Sequence, residues 1–131
     1  MSWDDSEYYS NHSSKAKSQG HYQRHPFEDP KSAIRFLKQE DFWADGSYNR
    51  IAIAEMEPDY VLATMHHLLR RAASLKLTLE LYYHKSGAKP ELIEKLEKMS
   101  PEKFIRETPL FKALKTAYLA EPEIPELFET L

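Results

Sequence analysis

The sequence has no cysteine and only three glycines in 131 residues. Without thiols there are no disulfide staples, no thiolate nucleophile and none of the sulfur-ligated structural zinc sites, a pattern suited to a reducing cytoplasm. So few glycines also leave no closely spaced set to form a backbone cradle for nucleotide phosphates. No apolar run approaches the length needed to cross a bilayer. The opening MSWDDSEYYSNHSS has acidic and hydroxyl residues where a signal peptide would be basic and then apolar. A large excess of either charge is lacking too. Eighteen basic and 21 acidic residues give a net charge of -3, which offers no broad attraction to nucleic acid or anionic lipid. The expectation is a cytoplasmic protein with no membrane segment.

What remains is a chain that is 41% hydrophobic and 30% charged, of a size to build one compact core. Its mean hydropathy of -0.67 is low, so part of the chain is expected outside that core. Residues 1–28 fit this description. They show no apolar periodicity and read as a flexible arm whose ordering entropy no burial offsets. The arm's aromatics, Trp3, Tyr8, Tyr9, Tyr22 and Phe27, are candidate anchors on a partner or on the chain's own domain.

A domain is expected over 29–121. Asp29-Pro30 pairs an acidic cap with proline at the first helical position, and Ala33, Ile34, Phe36 and Leu37 then form one stripe. Around 42–53 the Asp45-Gly46 pair and the run Ile51-Ala52-Ile53 suggest a small β-hairpin, with Trp43, Ile51 and Ile53 packed on a helix because two strands cannot stand alone. Glu57-Pro58 opens the strongest signal, a long helix reaching about His84, with Val61, Leu62, Met65, Leu68, Leu69 and Ala72 on one face. The alternation Leu75, Leu77, Leu79, Leu81 also suits a strand. Its leucines, lysine and glutamate favour continuing the helix until Ser86-Gly87 ends it.

Three more starts follow at Lys89-Pro90, Ser100-Pro101 and Thr108-Pro109, the last two merging around Pro109 as an alternative. Residues 122–131 carry Pro122, Pro125, Leu127, Phe128 and Leu131 among glutamates. They read as a packing strap or as an exposed acidic-hydrophobic peptide, the strap being the commoner outcome. The expected fold class is mainly α with minor β: a helical domain with one long central helix, a small hairpin and a disordered N-terminal arm.

Candidate chemistry is sparse. His66 and His67 are adjacent and point about 100° apart on a helix, so they cannot share an ion. His21 and His25 have helical ligand spacing in a segment without helical pattern. No metal site is expected, and one of the paired histidines is read as a packed, hydrogen-bonded core residue. No nucleophile elbow, phosphate loop or zinc-protease helix occurs, so no catalytic residues and no cofactor are assigned. Arg70, Arg71 and Lys76 on the long helix, with Arg50 from the hairpin, form a candidate contact for anions or nucleic acid. A solvated helix face paired with glutamates is the commoner reading of such charges.

The segment FWADGSYNRIAIAEMEPDYVLATMHHLLRRA, through Trp43, Asp45, Gly46, Ile51, Ile53, Met56, Leu62, Leu68, Arg70 and Arg71, resembles small proteins encoded by bacteriophages and prophages. It departs from them at Tyr60 and at His66-His67. The resemblance implies an accessory phage protein and brings no activity with it.

The expected function is therefore a small non-enzymatic interaction module that binds and modulates a host or phage protein through Trp3, Tyr8, Tyr9, Tyr22, Leu127 and Phe128. A nucleic-acid-binding accessory role through Arg50, Arg70, Arg71 and Lys76 ranks second, and an enzyme of unfamiliar type third. The long helix suits a monomer core or a two-fold interface equally, so the oligomeric state is open.

Overall fold

The computed structural model of the chain describes residues 18–120. In chain order it contains β1 (Ser18–His21), a 3-10 turn (Pro26–Glu28), α1 (Pro30–Lys38), β2 (Phe42–Ala44) and β3 (Asn49–Ala52). A second 3-10 turn (Ile53–Glu55), α2 (Pro58–Ser86), α3 (Pro90–Lys98), α4 (Pro101–Arg106) and α5 (Pro109–Leu119) complete it. The fold is mainly α with a minor β component. Among the described residues no helix is long and apolar enough to cross a membrane.

Proline sets the boundaries. Every one of the five α-helices, and the first 3-10 turn, starts with proline at its first or second position, where the missing N–H would have had no helical partner. The side chains of Asp29, Ser100 and Thr108 accept from Ser32 N, Lys103 N and Phe111 N at 3.0, 3.1 and 3.2 Å. At its other end α2 stops on Gly87, whose φ of 72° is left-handed backbone that a Cβ disfavours. Pro109 separates α4 from α5, and the two do not merge.

α2 is the central beam, packing against α1, α3, α4 and α5. Its buried positions are Tyr60, Val61, Thr64, His67, Leu68, Ala72, Leu75 and Leu79. Leu62, Met65 and Leu69, expected on the core face, are only partly buried, so the helix is turned toward Tyr60, Thr64 and His67. The leucine alternation is helical: Leu75 and Leu79 are buried, while Leu77 and Leu81 are 54% and 56% exposed.

β2 and β3 form the expected hairpin, with Trp43 opposite Ile51. Trp43, Ile51 and Ile53 are all buried, although Ile53 belongs to the second 3-10 turn rather than to β3. Within the turn, Asp45 Oδ1 accepts from Ser47 N and Asn49 N, both at 2.9 Å, and the left-handed residue is Tyr48 (φ 67°) rather than Gly46.

The expected arm requires correction over residues 18–28, the part that falls within the described residues. β1 pairs antiparallel with the free edge of β3, making a three-stranded sheet of order β1-β3-β2. Gly20 sits at the register shift in β1 with φ 130°. His25, Pro26 and Phe27 are buried. Phe27 stands 5.5 Å from Phe36 and 6.3 Å from Trp43 between ring centroids, so a single aromatic cluster joins the segment to α1 and the sheet. The order comes from partners distant in sequence, which a local periodicity cannot report.

Candidate functional site

Where the sheet meets α2 the interior is polar as well as aromatic. His25 caps the first 3-10 turn: its Nδ1 accepts from Phe27 N at 3.2 Å, and its backbone N donates to Glu28 Oε2 at 2.8 Å. Its Nε2 lies 3.2 Å from Ala44 O, so the neutral Nε2–H tautomer satisfies both ring nitrogens. Burial pushes the His25 pKa down to about 4. The bond to Ala44 works against this shift, while the charge of Arg71 and neighbouring His67 reinforce it. Arg71 lies over the Phe27 ring at 5.5 Å, and burial lowers its own pKa. Trp43 Nε1 and Thr64 Oγ1 are buried without a hydrogen-bond partner among the described residues. This cluster ties the sheet to α2.

Of the residues singled out by sequence, those within the described residues are not brought to one place. Trp3, Tyr8, Tyr9, Leu127 and Phe128 lie outside the described residues. Tyr22 is half-buried, edge-on to Phe36 at 6.2 Å, and burial raises its phenol pKa against the influence of Arg50. It packs at the margin of the core. The basic patch is dispersed: Arg50 stacks on Phe42 at 3.9 Å, Arg71 turns inward to Phe27, and Lys76 pairs with Glu80. Arg70 alone of the four is exposed. His67 is buried, 6.1 Å from Trp43 between ring centroids, and His66 is exposed. Among the described residues no three His, Asp or Glu side chains are grouped to hold a metal ion.

A different feature is better formed. Between α1 and α3, over the C-terminal half of α2, lies an open apolar groove of about 250 Å³. Its floor is Leu37, Leu79, Leu96 and Phe104, all buried, and its walls are the half-covered Ile34, Tyr83 and Met99 with Leu92, which is 46% exposed. The groove exists because α3 is lightly held. Of its apolar stripe only Leu96 is buried, and α1 does not close over the rest. Three charged residues line it. Glu107 is already met by Lys103 at 4.0 Å, whereas Lys38 and Lys95 have no carboxylate partner among the described residues. The result is an apolar floor flanked by two ammonium groups that no carboxylate among the described residues neutralises.

A second, larger trough of about 770 Å³ runs along α5, from Ala120 back to Lys112, and is lined by Ile53, Met56, Ala113 and Ala117 together with Glu40 and Asp41. Sequence reasoning missed both depressions. The usable signal was the strong stripe of Leu92, Ile93, Leu96 and Met99 on a helix too short to cover it. No protein-family model, curated protein or solved structure matches the chain.

Proposed function

We propose that this chain is a non-enzymatic protein-interaction module whose groove between α1 and α3 receives an acidic-apolar segment of a partner protein. The observation that carries the reading is the groove itself: an apolar floor with half-covered walls, flanked by Lys38 and Lys95. Apolar side chains supply burial at such a place, while acidic groups beside them meet the lysines and set orientation. An engineered cavity of roughly 150 Å³ admits a benzene-sized ring. A groove of 250 Å³ therefore takes an aromatic side chain together with an aliphatic one. The further reading, a phage-encoded factor acting on a host protein, is supported by the resemblance of the segment from Phe42 to Ala72.

Photo-crosslinking tests the proposal. A photoreactive residue in place of Leu92, on the full chain in host extract, is expected to give adducts that map to acidic-apolar stretches of one protein. The same residue in place of Arg70 is expected to give none. Adducts from position 70 with none from position 92 overturn the reading.

A further inference from the structure

We infer that residues 121–131 of this same chain occupy the groove, so that a partner must displace the chain's own tail. The inference rests on the reading of the groove as a binding site and adds its regulation. Residues 121–131 lie outside the described residues, and three observations make them the occupant.

The first is chemistry. The segment Glu121-Pro122-Glu123-Ile124-Pro125-Glu126-Leu127-Phe128-Glu129-Thr130-Leu131 places a leucine beside a phenylalanine between two glutamates. That is one aliphatic and one aromatic side chain for a space of 250 Å³, with carboxylates on either side for Lys38 and Lys95. The second is position. α5 starts at Pro109, which lines the groove, and Ala120, the last described residue, lines the trough on the flank of the same helix. The two depressions thus follow one another along α5, from the point where the tail begins to the groove where its apolar pair would sit.

The third is reach. α5 has 11 residues, a length of about 16 Å at the helical rise. Leu127 and Phe128 stand seven and eight positions past Ala120, which in extended backbone spans up to about 25 Å. Ile124, four positions past Ala120, is within reach of the trough that Ala113 and Met56 line. Glu40 and Asp41 line the trough and oppose the tail's glutamates; Lys112 in the same trough and Lys38 in the groove offset this.

The chain has no cysteine, so a single nitroxide at Thr130→Cys marks the tail of the full protein. The expected result is selective broadening of the Ile34 and Leu92 methyl signals, removed by Leu127→Asp with Phe128→Asp and weakened several-fold by Lys38→Glu with Lys95→Glu. Adding Glu126→Lys and Glu129→Lys to the lysine reversal is expected to restore it. Absence of broadening in the parent, with folded spectra, overturns the inference. So does broadening that arises only between chains, seen when nitroxide-bearing and methyl-labelled copies are mixed, since the occupant is then a second copy. Loss of the tail contact with crosslinking from position 92 intact removes this inference alone. A tail contact without any partner adduct removes the binding function and leaves the tail in the groove.

Discussion

The Trp43 indole meets the His67 imidazole edge-on, ring centroids 6.1 Å apart and planes at 82°, where β2 lies against α2. Through Trp43 the contact extends to Phe27 and Phe36, so strand, turn and two helices share one aromatic cluster. Trp43→Ala is expected to destabilise the fold by about 3–5 kcal/mol, as truncation of a buried large aromatic does. Urea unfolding at neutral pH measures it. A loss under 1 kcal/mol would place the cluster outside the cooperative core.

The neutral, buried His25 makes stability depend on pH. Its pKa falls from 6.5 in the unfolded chain to about 4 in the fold, so the unfolded state binds the extra proton. Its contribution is complete above pH 6.5 and is lost as pH falls toward 4, with a slope of up to about 1.4 kcal/mol per pH unit. His25→Asn keeps a capping acceptor but has no proton to gain. The stability gap between parent and variant is expected to shrink from pH 7 to pH 4, and a constant gap contradicts the assignment.

Thr64 has an unusual expected sign. Its hydroxyl is fully buried in α2 without a hydrogen-bond partner among the described residues, a state that disfavours the fold. Thr64→Val keeps the shape and removes the orphaned oxygen, so it is expected to be neutral or stabilising by about 1 kcal/mol. Thermal unfolding of the two proteins decides. A loss above 1 kcal/mol means that the hydroxyl is bonded in solution.

Gly87 tests how α2 ends. A Cβ there meets nothing within 4 Å, so the effect of Gly87→Ala comes from the left-handed backbone alone, about 1 kcal/mol of destabilisation. A neutral result in denaturant titration would show that α2 terminates in another way.

The helices were legible because each announces itself locally. Proline after a capping or turn residue marks every start, and Gly87 marks the end of α2. The sheet was half legible: the turn and the Ile51 strand are local signals, while β1 is ordered by the edge of β3 and by Phe27 meeting Phe36, neither of which a window of sequence contains. The groove was legible only as the surplus stripe of Leu92, Ile93, Leu96 and Met99 on a short helix, not as a shape. It is a space between α1 and α3, defined by what Leu92 and Ile34 fail to touch, and sequence patterns report faces rather than the gaps between them.

The binding reading is tested most directly by panning a random-peptide library against the immobilised full chain, with a Leu92→Asp and Lys95→Glu version as the comparison. Enriched peptides are expected to pair an aromatic with an aliphatic residue among acids, and to bind the comparison protein at least 10-fold more weakly, a difference of about 1.4 kcal/mol. Enrichment of basic peptides, or equal binding to both proteins, would contradict it.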